Sequence, residues 1–237
     1  MLSAIIVAAG ASERMGFDKL FAPLVDKPVI AHTIDAFERT SCVDDIVLVG
    51  RRDSLEQLRK IIRGNTKVRR LVAGGTRRQD SVQAGLQELD ARTAYVLVHD
   101  AARPLITPEK ITRVFEVARQ HGAAGLAEPV SDTLKRADVD LVVSESIDRD
   151  QLFAMQTPQV FARELLVEAY EAVAAKNISV TDEVSAVQHL GRKAVLVPNQ
   201  DFNFKITYPR DFLLAEIIFR QRTNSSSQSG TSQTIAS

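Results

Sequence analysis

The chain has 237 residues, 45% hydrophobic and 25% charged, enough to bury a real core in one large domain or two small ones. Lys plus Arg and Asp plus Glu each number 30, so the formal net charge is zero. That excludes a whole-surface attraction to nucleic acid or anionic membrane and leaves room only for a local basic patch.

A single cysteine, Cys42, excludes an intrachain disulfide, fits a reducing compartment and leaves Cys/His zinc chemistry unsupported. It follows a helical pattern and reads as a small buried hydrophobe. The apolar start LSAIIVAAGA ends in Ala9-Gly10-Ala11, which imitates a signal-peptidase site, yet no Lys or Arg precedes the run. No apolar stretch approaches the ~18 residues that span a bilayer. The expected location is the cytoplasm.

Short β-branched runs at 3–8, 45–49, 67–72, 94–98, 123–127 and 193–197 are almost continuously apolar, as strands covered on both faces are. Helical patterns alternate with them. Ile30, Ile34 and Phe37 share one face of a helix over 28–39. Asp53 and Glu56 read as an N-cap box for 54–62. A helix over 81–90 follows a glycine-rich loop, and Thr107-Pro108 opens one that His121-Gly122 closes. Further helices are expected at 162–175, 182–190 and 209–221, the last with Thr207 as a cap. Residues 129–158 break the alternation: two short alternating runs around a turn near Ala137-Asp138 predict a β-hairpin arm. Such a hairpin is marginal alone in water, so it is expected to pack on something, a second subunit being one candidate. The polar residues 223–237 read as a disordered tail. The fold class that follows is α/β: a Rossmann-like three-layer sandwich with a mostly parallel central sheet and a protruding β-hairpin arm, in a single domain over 1–222.

Ligands in such folds bind beyond the carboxyl ends of the strands. Three loops lie there. AAGASERMGFDKLF, residues 8–21, is neither a Walker loop nor a dinucleotide fingerprint. It is a small-residue turn with Arg14 and Lys19 beside it, either a polyphosphate site built from backbone donors and cations or a solvated loop. In AGGTRRQDSV, residues 73–82, Gly74-Gly75 permits unusual backbone. Ser81 there reads as an N-cap when taken alone, and otherwise as a hydroxyl directed at a ligand. In VLVHDAARPLITP, residues 96–108, Asp100 follows an apolar strand and suits either Mg2+ or a turn aspartate. Taken together, the loops gather Arg14, Lys19, Arg78, Ser81, Asp100 and Arg103 on one sheet edge, and phosphate-dependent chemistry becomes the leading class.

These loops resemble those of the nucleotidyltransferases that join a nucleoside triphosphate to a sugar phosphate. More narrowly, AAGASERMG…DKLF, GGTRRQDSV, VHDAARP, PVSDTLKR, IDRDQLFAMQTPQ, TDEVSAV and FKITYPRDF, in this order over about residues 3–220, resemble the 2-C-methyl-D-erythritol 4-phosphate cytidylyltransferase family. The resemblance implies CMP transfer from CTP to that sugar-alcohol phosphate, releasing pyrophosphate, in non-mevalonate isoprenoid synthesis. It implies that Ala8, Ala9, Gly10, Gly75, Ser81, Asp100 and Ala101 hold the nucleotide, with Mg2+ on Asp100. Arg14 and Lys19 would stabilise the transition state, Arg149 and Lys205 would position the attacking phosphate, and Arg103, Thr133, Thr157 and Thr181 would surround the second substrate. It also implies a homodimer whose arm carries Thr133, Arg149 and Thr157 into the partner's site. Asp18 stands before Lys19 where the family often has Pro, and Thr76 where an acidic residue is common.

No general base is needed, because the attacking phosphate is already ionised; fixed positive charge is. Three rival readings share some of these features: a ribitol-5-phosphate cytidylyltransferase, a nucleotide-binding regulatory subunit without catalysis, and a Rossmann dehydrogenase, the last disfavoured by the missing fingerprint.

Overall fold

The computed structural model describes residues 1–10 and 15–229, with side chains described as far as Arg222. In chain order the elements are β1 (Leu2–Ala8), a small hairpin of β2 (Pro23–Leu24) and β3 (Lys27–Pro28), α1 (Val29–Glu38), β4 (Asp45–Gly50), α2 (Leu55–Ile61), β5 (Val68–Ala73) and α3 (Arg78–Gln87). Then come β6 (Tyr95–Asp100), α4 (Pro108–His121), β7 (Ala123–Pro129), β8 (Leu134–Ala137), β9 (Val143–Ile147), β10 (Phe153–Ala162), α5 (Arg163–Ala175), α6 (Glu183–His189), β11 (Val195–Pro198) and α7 (Pro209–Ser229).

The central sheet has the order β11-β7-β10-β6-β1-β4-β5. Neighbours pair in parallel except around β10, which runs antiparallel to both β6 and β7. Strand alternation splits one apolar run into two cores. Leu2, Ala4, Ile6 and Ala8 face a core shared with α1, α2, α4 and α7, while Ile5 packs with α3, α5 and α6. The expected α/β sandwich of three layers is the observed one. No helix among the described residues is long and apolar enough to cross a membrane.

β10 is the strand the sequence pattern hid. The arm was expected to run to 158, but Phe153 already pairs with Pro129 of β7, and the protruding part lies between a neck at Val130–Leu152 and the turn at 138–142. Gln156, Thr157 and Gln159 give β10 a polar look, and its Pro158 falls where the register with β7 shifts. All three polar residues are nonetheless buried, their side chains bonded to Glu128 of β7, His99 of β6 and Asp182 before α6.

Other local expectations change in instructive ways. No side-chain capping bond starts α2: a 3-10 turn at Arg52–Ser54 precedes it, and Asp53 instead receives Arg51 Nε at 3.1 Å. α3 begins three residues early, at Arg78, which moves Ser81 from a cap into the first turn. At α7, Asp211 rather than Thr207 does the capping, accepting the Thr207 and Tyr208 N–H groups at 2.8 Å each. That helix continues to Ser229, past 221 and into the segment read as tail; residues 230–237 lie outside the described residues. Cys42 sits in a turn after α1, partly buried, with Sγ 3.7 Å from Thr112 Oγ1.

α3 lies close on β1 because residue 85 has no side chain: a Cβ there would stand 2.7 Å from Ile5 Cγ2 and 3.2 Å from Val49 Cγ2. Alanine is the better helix former by ~1 kcal/mol, but overpacking such a contact costs about 1–3 kcal/mol. Gly85→Ala is therefore expected to lower the urea unfolding free energy by roughly 1–2 kcal/mol; an unchanged or raised midpoint would show that β1 yields freely.

Candidate active site

Two cavities open at the carboxyl ends of the strands. The larger, about 630 Å3, is lined by β10 residues including Met155 and Thr157, the loop at Thr181–Asp182, Ser185, and Arg103. The smaller, about 210 Å3, is lined by Ala9, Gly10, Lys19, Gly75–Arg78 and Ser81. Arg78, Asp100 and Lys205 line both. The two cavities thus share a wall made of one carboxylate and two cations.

The smaller cavity is shaped by close backbone approach. A Cβ on residue 74 would meet Ser81 Oγ at 2.6 Å and Ala9 Cβ at 2.7 Å, so glycine lets the 73–77 loop rest against β1's end. Ser81, almost fully buried, accepts the Gly75 N–H at 3.2 Å and lies 3.2 Å from the Arg77 carbonyl, so its hydroxyl shapes this loop from within α3. On the opposite rim Asp18 receives Arg51 Nη2 at 2.7 Å, while Arg51 Nη1 reaches the Gly10 carbonyl at 3.3 Å. Arg51, which sequence reasoning passed over, ties both flanks of the first loop and gives Asp18 a partner just before Lys19. Arg14 lies outside the described residues.

Asp100 is the electrostatic centre. Its Oδ1 receives Arg78 Nε at 3.0 Å, and its Oδ2 faces Lys205 Nζ at 2.9 Å and Arg103 Nε at 3.8 Å. Burial by itself would raise its pKa; Arg78, Lys205 and Arg103 outweigh that and hold the carboxyl well below the usual range. Arg78 is in turn gripped from behind by Glu183, fully buried, at 2.6 and 3.1 Å, and Tyr170 Oη donates to the same carboxylate at 3.0 Å. Burial works to lower the Arg78 pKa, but the charges of Glu183 and Asp100 carry it upward, so the guanidinium stays charged at any working pH.

The Asp100 backbone is also fixed. Its N–H donates to Thr157 Oγ1 at 3.0 Å. His99, fully buried, bonds Thr157 Oγ1 through Nδ1 at 3.0 Å and the Arg103 carbonyl through Nε2 at 3.2 Å. A carbonyl only accepts, so Nε2 carries the proton and the Thr157 hydroxyl donates to Nδ1. Thr157 therefore sits in the site of its own chain, contrary to the expectation that the arm carries it to a partner; the reason is that 153–162 belongs to the central sheet. Arg103 Nη1 bonds the Asn203 carbonyl at 2.8 Å, joining the Asp100 loop to the segment before Lys205.

Of the remaining expected residues, Ala9, Gly10, Lys19, Gly75, Ser81, Arg103, Thr181 and Lys205 come together around these cavities. Ala8 and Ala101 lie buried outside the lining, and Ala101 N–H is already given to the Val7 carbonyl at 3.0 Å. Thr133 and Arg149 stand exposed on the arm, where Arg149 Nη1 bonds the Ser131 carbonyl, and they line neither cavity. Glu183 was hidden by its neighbours: in Thr181-Asp182-Glu183 only the cap role of Asp182, which accepts Ser185 N–H at 3.0 Å, follows a local pattern.

A mostly parallel α/β sheet whose strand ends join two cavities through a cation-clamped carboxylate suits a nucleotidyltransferase. Comparison with known proteins agrees. The model of the family described as "IspD: 2-C-methyl-D-erythritol 4-phosphate cytidylyltransferase" matches residues 2–221. Proteins of that name from Dehalococcoides mccartyi and Alkaliphilus metalliredigens are 39% and 40% identical, over 93% of this chain and 96% and 94% of theirs. The crystal structure of 4-diphosphocytidyl-2C-methyl-D-erythritol synthase from Anaerococcus prevotii superposes with a TM-score of 0.82 at 31% identity, covering 92% of this chain and 96% of that one. The chain belongs to the 2-C-methyl-D-erythritol 4-phosphate cytidylyltransferase family.

Burial pushes His99 down from 6.5 to about 3, so the folded protein keeps it neutral where the unfolded chain takes up a proton. Unfolding then binds the extra proton between those values, and stability falls as pH drops through that window by up to about 1.4 kcal/mol per unit. His32, also lowered by burial, acts with the same sign. Urea unfolding at pH 7, 6, 5 and 4 is expected to show this decline, and His99→Gln to make it shallower; an equal slope in the variant would deny His99 its part.

Proposed function

We propose that the chain transfers CMP from CTP to 2-C-methyl-D-erythritol 4-phosphate, giving the CDP-linked alcohol and pyrophosphate. An acceptor phosphate oxygen forms a bond to the α-phosphorus as the bond to the bridging β-phosphate oxygen breaks. The observation that carries this reading is the wall of Arg78, Asp100 and Lys205 common to both cavities, in a chain of this family. The smaller cavity, with Lys19 and the Gly75 loop, suits the nucleotide. The larger, with Thr181 and Arg103, suits the sugar phosphate.

Two anions repel, so the protein's work is placement and charge. Lys19 stands where charge builds on the α-phosphate, and Lys205 stands where the attacking phosphate enters. Ser81 and Thr157 hold the loops so that these cations need no rearrangement. A neutral, buried His99 is unsuited to proton transfer and serves as a brace behind Asp100.

Asp100 also suits a magnesium ion. Among the described residues no group of three or more His, Cys, Asp or Glu could hold a metal, and Asp100 is the carboxylate that lines both cavities. One hard oxygen plus phosphate oxygens and water is a donor set that magnesium accepts. Oδ2 is the atom that would hold it, since Oδ1 is taken by Arg78, whereas Lys205 is 38% exposed and can exchange its carboxylate for a phosphate. The ion, when bound, supplies Lewis acidity toward the nucleotide's phosphate oxygens.

The arm argues for a homodimer. Val139, Leu141, Val142 and Val143 are 97%, 83%, 62% and 59% exposed on a two-stranded hairpin that a single chain leaves uncovered. Crossing to a second copy would bury them and bring Arg149 and Thr133 to that copy's larger cavity.

Incubating the protein with CTP, the methylerythritol phosphate and Mg2+ is expected to release pyrophosphate and form the CDP-alcohol; turnover only with ribitol 5-phosphate, or with neither acceptor, would refute the reading. Lys19→Ala is expected to lower kcat by about 10²–10³, the scale for one preorganised donor. Arg149→Ala is expected to raise KM for the sugar phosphate in the main. With the sugar phosphate held well below the raised KM, dimers assembled from an equal mixture of Lys19→Ala and Arg149→Ala chains should recover up to about a quarter of wild-type turnover, since half are mixed and each mixed dimer keeps one intact site. No recovery on mixing would place Arg149 in its own chain's site.

A further inference from the structure

The carboxylate behind the wall, Glu183, has no place in the reaction so far. Glu183 is fully buried at the start of α6, touches neither cavity, and grips Arg78 through both oxygens. Its backbone N–H and that of Val184 both donate to Gln159 Oε1, at 3.1 and 3.0 Å, so α6 is anchored to β10 at the same point. Tyr170 Oη donates to Oε1 from α5. A carboxylate this deep is costly to dehydrate, and apolar pairs of similar volume often hold a fold as well. Its bonds account for something other than stability: they dictate which way Arg78 points.

Arg78 has two anions to choose between. Its Nη1 and Nη2 go to Glu183 and only its Nε goes to Asp100 Oδ1. Were Glu183 neutral, the guanidinium would turn its fork onto Asp100, since a bidentate ion pair is the stronger arrangement. It would then compete with Lys205 for Oδ2. We infer that Glu183 is a positioning residue for cytidylyl transfer, holding Arg78 to a single contact with Asp100 so that Oδ2 and Lys205 stay available on the side both substrates share.

The same bonds link the two halves of the site. Thr181 and Asp182, in the larger cavity, immediately precede Glu183; Gly75, Thr76 and Arg77, in the smaller, immediately precede Arg78. One ion pair spans 105 residues of sequence to join the two segments. Displacement of either loop therefore moves the shared wall.

This inference rests on the reaction proposed above, and its test separates the two. Wild-type turnover with CTP, the methylerythritol phosphate and Mg2+ is the control for that reaction; an inactive wild type refutes the reaction and the inference with it. In an active enzyme, Glu183→Gln keeps shape and removes charge, and it is expected to lower kcat about 10–100-fold while both KM values stay within about threefold, because the substrates' own contacts are untouched. Arg78→Met leaves Glu183 buried without its partner and is expected to melt early. Arg78→Met combined with Glu183→Gln removes the whole pair and is expected to melt higher than Arg78→Met alone. If Glu183 acts through Arg78, the losses in kcat/KM do not add: the double variant is as slow as Arg78→Met alone, within about threefold. Multiplying losses, wild-type kcat in Glu183→Gln, or a loss seen only as raised KM would each overturn the role.

Discussion

Asp100 and the three cations around it are the constraint on which the rest of the site depends. A carboxylate buried at the end of β6 is unfavourable unless neutralised, and its neutralisers arrive from three places: Arg78 at the start of α3, Arg103 from its own loop, Lys205 from the segment before α7. Each comes from a different connection between elements. The sheet must bring β1, β6 and β10 side by side, and the helices must begin where they do, or the carboxylate is left exposed to a cost of several kcal/mol with nothing in return. Folding and the assembly of the phosphate site are one event here.

The arrangement also explains how a chain with no net charge handles two polyanions. Charge is balanced locally and in layers. Glu183, deepest, is balanced by Arg78; Asp100, at the wall, is balanced by Lys205; the outermost layer, with Lys19 facing the smaller cavity, is positive. A group's accessibility rises along that series while its freedom to change partner rises with it. The buried pair is bidentate and fixed, whereas Lys205 is a half-exposed point charge that can follow a phosphate. Electrostatic preorganisation resides in the rigid charge behind, which holds the wall in place before a phosphate arrives.

How much of this was legible in the sequence follows from which interactions are local. The alternation of apolar strands with amphipathic helices is a local pattern, and it led to the right fold class. The loop residues Gly10, Gly75, Ser81 and Asp100 stand beside recognisable strand ends, so their convergence could be expected from topology alone. β10 was hidden because its polar residues are satisfied by remote partners: Gln159 by Asp182 and the N-terminus of α6, Gln156 by Glu128 and Asn199. Arg51 and Glu183 were hidden for the same reason. Arg51 reaches Gly10 across 41 positions, and nothing near it in the chain marks it as part of that loop. Of the two readings left open for Ser81, the cap is not the observed one, because the helix starts three residues earlier, where Asp80 accepts the Arg77 N–H at 3.0 Å.

His99 shows why a residue next to the chemistry need not take part in it. In a solvated site a histidine beside an aspartate would suggest proton transfer, and the sequence places the two together. Full burial changes the outcome: both ring nitrogens are committed, and charging the ring would require a pH of about 3. The hydroxyl of Thr157 then links the ring to the Asp100 backbone, so the imidazole acts as a neutral spacer that sets the height of the loop. A reaction whose nucleophile is already an anion gains nothing from a base at that point and loses ground if the carboxylate common to both cavities moves. The structure spends its histidine on holding that carboxylate still.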